Sequence, residues 1–150
     1  MISPLAYLWM LLLWAPHVQE HNEGVYMLSP TTKKVHCENE VSMLIGGSKV
    51  CISKKPILNL DQVDYITDIL YDPVAKKNYI DIGFSSAAIQ TFNRGFSSLP
   101  NNRYALVVHN DVMCIIKIDA EITNRYIRMG YDLTLKDLTA VHDMLKTVKP

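Results

Sequence analysis

The chain has 150 residues, 49% of them hydrophobic and 20% charged, which suffices for one globular domain with a core of its own and excludes a disordered chain. Lys plus Arg (15) balance Asp plus Glu (15), so the formal net charge at pH 7 is zero. That balance argues against nucleic acid as a partner, because capture of phosphates needs a basic face.

The first apolar run is Leu5 to Ala15, LAYLWMLLLWA, ended by Pro16. It is too short for a membrane span, which needs roughly 20 residues. It fits the apolar region of a secretory signal, and residues 1–16 read as a signal peptide or N-terminal anchor. Only the terminal amine supplies positive charge ahead of it and no small-x-small site follows, so cleavage and retention both stay open. A helix packed on the domain is the alternative reading.

Residues 24–55 read as a β-rich extension. Val25 and Met27 begin a strand, Ser29-Pro30-Thr31 a turn, and Lys33 to Cys37 its return. Val41 to Ile45 and Lys49 to Ile52 flank Gly46-Gly47, the pair that a primed hairpin turn favours. Gly47-Ser48-Lys49 lacks the earlier glycine that a phosphate loop requires.

Residues 56–148 carry the stronger signals. Leu60 to Val63 reads as one helical turn, followed by a strand to Tyr71. Asp61, Asp64, Asp68 and Asp72 form an acidic stripe, read as a solvated face with a cation site as the alternative. Asp72-Pro73 turns the chain, and Ile80, Ile82 and Phe84 share one face of the next strand. Ser85 or Ser86 offers a cap to a helix striped by Ile89, Phe92, Phe96 and Leu99. Tyr104 to Val108 is apolar on both faces, which predicts a central strand covered on each side. Asn110-Asp111 reads as the two-residue turn into Val112 to Ile118, and Ile122 to Tyr131 as a further strand. Thr134 to Asp137 resembles a capping box ahead of a helix through Leu138, Val141, Leu145 and Val148. The order β-β-α-β-β-β-α predicts an α+β domain, an antiparallel sheet with two helices packed on one face.

Three cysteines leave an odd count. In an exported chain Cys37 pairs with Cys51 and Cys114 stays buried and inert; three reduced, buried thiols are the alternative. His36 and Cys37 with Glu38 and Glu40 lack a second ligand pair, so no metal site is assigned. No HExxH, CxxC, GxSxG or GxGxxG motif occurs, and no catalytic residues or cofactor are assigned.

Five stretches carry a family resemblance: Pro56-Ile57-Leu58 with Leu60-Asp61-Gln62-Val63, then Tyr79 to Ser85 (YIDIGFS), Phe92-Asn93, Arg103 to Val112 (RYALVVHNDV), and Gly130-Tyr131 with Leu133-Thr134 and the helix to Leu145. Together they resemble the periplasmic head subdomain of SecD and the fused SecDF proteins of the bacterial Sec translocase. The chain departs from the family at His109, where an aspartate is usual, at Ile115 to Lys117, where a proline is absent, and in having no set of membrane helices. In SecD those helices carry the proton-driven motor, so fold transfers better than function. The resemblance implies an exported, non-enzymatic domain, in the periplasm or on the outer face of the inner membrane. Its partner would be a polypeptide or an envelope or translocase component, with membrane attachment through residues 1–16. Strand augmentation is the expected mode. The contact candidates are Asn101, Asn102 and Arg103 in one loop and His109, Asn110 and Asp111 at the hairpin tip. The rivals are a small secreted hydrolase or redox enzyme using His109, Cys114 or the acidic stripe, and an adaptor or immunity-like factor unrelated to Sec.

Overall fold

The computed structural model describes residues 22–29, 36–99 and 102–148. The signal segment, the predicted return from Lys33 and the site candidate Asn101 thus lie wholly or largely outside the described residues. Among the described residues the architecture is α+β, with antiparallel strand pairing and two helices. In chain order come β1 (Gly24–Met27), β2 (Glu40–Ser42), β3 (Lys49–Cys51), β4 (Leu58–Asn59), a 3-10 turn at Leu60–Gln62, β5 (Val63–Ile66), β6 (Leu70–Asp72) and β7 (Lys77–Phe84). Then follow α1 (Ser86–Phe96), β8 (Arg103–Val108), β9 (Asp111–Lys117), β10 (Tyr126–Met129) and α2 (Leu135–Val148).

Among the described residues the strands divide among three sheets rather than one: β4-β1-β8-β9, β10-β7-β5 with β6 also on β7, and the β2-β3 hairpin. Both edges of β1 are taken by strands distant in sequence. It lies between β4 and β8, with Val25 opposite both Leu58 and Leu106. Its Val25 and Tyr26 are both buried, so a place inside a sheet satisfies both faces where an exposed hairpin would not. Gly24 permits the approach to β4, since a Cβ there would meet the Leu58 carbonyl at 2.5 Å.

β8 is covered on each side. Tyr104, Leu106 and Val108 join a core with Ile80, Ile82 and Phe84 of β7, Ala88, Ile89 and Phe92 of α1, and Leu138, Val141 and Leu145 of α2. Both helices therefore lie on one face. Ala105 and Val107 form a second core with Tyr26, Val112, Val41 and Ile52, closed by the β2-β3 hairpin. That hairpin turns through Gly46 and Gly47, both at positive φ, and the disulfide Cys37–Cys51 ties it to the preceding chain with Cα atoms 5.7 Å apart.

The predicted strand from Asp64 to Tyr71 is broken. The Thr67 hydroxyl accepts the Asp81 N–H, and the Thr67 N–H donates to the Asp81 carbonyl, so β5 ends and β6 begins as a separate pairing. The predicted strand from Ile122 shortens to Tyr126–Met129 because Asn93 of α1 takes both backbone groups of Ile122, at 2.9 and 3.0 Å. Ser85 caps α1 by accepting from Ala88 N–H. At α2 the Thr134 hydroxyl accepts the Asp137 N–H, but the Asp137 carboxylate accepts from that hydroxyl and not from a backbone amide.

Candidate functional site

The tip of the β8-β9 hairpin is a two-residue turn at His109-Asn110, one position earlier than expected, with Asp111 opposite Val108 as the first residue of β9. His109 and Asn110 have φ of 49° and 66°, the left-handed pair that a primed turn needs. The tip is engaged within the chain. The His109 imidazole Nδ1 lies 3.0 Å from Glu23 Oε1 and its Nε2 3.0 Å from Thr147 Oγ1, so it links the start of β1 to the end of α2. The Thr147 hydroxyl donates to the Met144 carbonyl and is left to accept at His109.

Asn102 and Arg103 lie at the other end of β8, and the structure does not bring them together with His109, Asn110 and Asp111. Asn102 donates from its amide to Asp119, which also pairs with Lys117 at 3.0 Å. Arg103 stands opposite Lys117 and, with it, borders an open groove of about 410 Å³.

This groove gathers what the sequence left scattered. One wall is Met43 and Ile45, another is Met113 and Ile115 of β9, and Leu133 and Gly130 close the third. Its exposed charges are Arg103, Lys117 and Asp132. Gly130 has φ of 104°, and Leu138 lies so close that a Cβ would meet it at 2.5 Å, which fixes that wall against α2. The outer edge of β9 runs along the groove. The Ile118 N–H donates to Asn102 carbonyl, so alternation turns the N–H and C=O of Ile115 and Lys117 away from β8. Among the described residues, the backbone contact on that edge is at Val112, whose carbonyl accepts from Leu44 N–H.

Cys114 borders the groove but is only 4% exposed, and burial pushes its thiol up to about 12. A thiol held protonated in apolar surroundings is a poor nucleophile. Asp72, from the acidic stripe, caps a turn: its carboxylate accepts from the N–H groups of Val74 and Ala75 and from the Tyr131 hydroxyl, which holds it below the usual carboxylate range. Among the described residues no three His, Cys, Asp or Glu gather around a common point that would hold a metal.

A second constellation has no counterpart in the sequence reading. On the face of β7 and β10 away from the helices, Arg128 forms a two-point pair with Asp81, at 2.8 and 2.9 Å. Its guanidinium lies 3.9 Å above the Tyr79 ring, and Tyr131 meets Tyr79 edge-on. Asp81 is 7% exposed and raises the affinity of Arg128 for its proton. The signal was an alternation: Asp81 stands opposite Arg128 across two strands whose other residues, Ile80, Ile82, Ile127 and Met129, face the core. The pair ties β7 to β10 and is not part of the groove's lining.

No family model matches the chain, and no curated protein matches it. The fold is similar to two solved structures, one of a membrane component SecDF that enhances protein export and one of SecDF in a super-membrane-facing form. Each aligns with a TM-score of 0.50 and 13% identity over 65% of this chain, which spans 43% of the first and 13% of the second. The likeness is one of fold: this chain shares its α+β arrangement with part of SecDF.

Proposed function

We propose that the chain is an exported, non-enzymatic domain that holds an extended polypeptide segment along the outer edge of β9, beside a membrane protein complex of the cell envelope. One observation carries this reading: the outward N–H and C=O groups of Ile115 and Lys117 run beside an apolar groove walled by Met43, Ile45, Met113 and Leu133. Edge amides supply hydrogen bonds that any sequence satisfies, and the groove receives alternate side chains. Methionine walls adapt to different apolar shapes, as a binder of unfolded chains requires. The fold likeness to part of SecDF supports an export-related role. Against the enzymatic rival stand the buried Cys114 thiol and the engaged His109, which is not part of the groove that Cys114 borders.

The test is binding of a fluorescent, reduced and alkylated polypeptide, followed by anisotropy. Lys117→Pro removes the outward N–H while the inner ladder from β8 is kept, and an edge strand tolerates it. Met43→Asp places a charge in the groove. Each variant is expected to weaken binding at least about tenfold, the scale of one lost buried interaction, with the unfolding midpoint held. Undiminished binding by both would sink the groove. Loss on replacing His109 and Asn110 instead would return the contact to the hairpin tip.

A further inference from the structure

The β6-β7 hairpin projects beyond its sheet. Leu70 pairs with Tyr79, Tyr71 with Asn78 and Asp72 with Lys77, whereas β10 reaches β7 only from Ile80 to Gly83 and β5 only from Ile82 to Phe84. Its tip carries apolar groups to the outside: Val74 is 92% exposed, Tyr71 58% and Leu70 39%. Lys76 and Lys77 follow at once, both exposed, and Lys77 is 3.8 Å from the fully exposed Asp132. The tip is held in shape, because the Asp72 carboxylate is turned inward to the N–H groups of Val74 and Ala75 and to the Tyr131 hydroxyl. At its root Arg128 is stacked on Tyr79 and bound to Asp81.

We propose that this finger, Leu70 to Lys77, docks on an anionic lipid bilayer surface. The arrangement suits a water–lipid boundary in three ways. Val74 and Pro73 form an apolar point that water alone surrounds at a cost. Tyr71 has the apolar body and polar tip that collect at the headgroup level. Lys76 and Lys77 lie just behind, with long stems that let their charges reach lipid phosphates while the tip enters. The choice of a lipid surface over a protein pocket rests on charge placement: Lys76 and Lys77 are exposed just behind the apolar point, the Asp72 carboxylate is turned inward, and Asp132 is the carboxylate set against Lys77, so the outward face of the finger offers cations to a field of phosphates. So short an apolar point gives weak attachment alone and orients a chain already held nearby. The inference does not depend on polypeptide binding, because the finger and the β9 groove share no residue.

The full chain carrying Val74→Cys is labelled with an environment-sensitive dye. Cys114 is buried and Cys37 is bonded to Cys51, so the label goes to the finger. Vesicles of phosphatidylcholine with one part in three phosphatidylglycerol are then added. The dye emission is expected to rise and shift blue, to be quenched by lipids bearing a nitroxide near the headgroup, and to lose at least about tenfold in apparent partitioning when Lys76→Gln and Lys77→Gln are added. The same dye at Glu121→Cys, beyond the opposite end of β7, is the control. An unchanged signal at position 74 would overturn the proposal, whether or not the chain sediments with vesicles. So would an equal response at position 121, or an equal response on pure phosphatidylcholine with and without the lysines.

Discussion

Cys114 sits within the apolar β8-β9 hairpin, and its chemistry follows from that position. Burial raises its thiol to about 12, whereas a cysteine in an unfolded chain ionises near 8.5. Between those values the unfolded chain gives up a proton that the folded chain keeps. The stability linked to this group is therefore whole below about pH 8.5 and falls as pH rises above it. Urea midpoints measured from pH 8 to pH 9.5 should decline, and those of Cys114→Ala should decline less steeply; parallel slopes would show that the thiol ionises freely in the folded state. Cys114 was legible because its neighbours Val112, Met113, Ile115 and Ile116 are all apolar. His109 was not, because its partners Glu23 and Thr147 are remote in sequence, and a polar turn residue gives no sign of what it meets. The Arg128–Asp81 pair was not legible either, because an alternating strand shows which face a charge takes and not which carboxylate stands across from it.

At the scale of elements, the hairpins and helices were written in local chemistry, and their edges were set by distant side chains. Gly46 and Gly47 take the positive φ expected of them, but in a four-residue loop, Leu44 to Gly47, closed by Met43 N–H on the Ser48 carbonyl, and not as a two-residue primed turn. The β8-β9 turn fell one residue early because the register carries an irregularity between Leu106 and Val107, and an extra residue in one strand shifts the count of the other. Thr67 and Asn93 each ended a predicted strand by taking backbone groups that a ladder would otherwise use. The β2-β3 hairpin is the element most dependent on a covalent tie. It is only three residues a side, and it covers Ala105, Val107 and Val112 through Val41 and Ile52. Cys37–Cys51 closes a separation of 14 residues, for which the chain-entropy account gives about 3 kcal/mol. Cys37→Ser with Cys51→Ser should lower the unfolding free energy by about that much in urea titrations. A loss under about 1 kcal/mol would mean that apolar contacts alone hold the cover in place.

At the scale of the molecule, the division into an extension at 24–55 and a domain at 56–148 meets a physical obstacle. β1 fills the position between β4 and β8, with four residues in register against β8 alone. The β2-β3 hairpin closes the second face of the same sheet. Periodicity could announce that β8 needs cover on both sides, but not that the cover comes from a stretch some eighty residues earlier, since pairing partners leave no trace in local pattern. Removing residues 1–55 would strip β8 of its neighbour on one edge and expose Ala105, Val107 and Val112, all at 0% exposure in the whole chain. An unpaired central strand with an apolar face is a template for association. The fragment 56–150 should therefore lack a cooperative thermal transition and sediment as aggregates, while the fragment 22–150 should melt in one step. A soluble, cooperatively melting 56–150 fragment would show that the later strands close a core without β1 and that the extension is a separable layer.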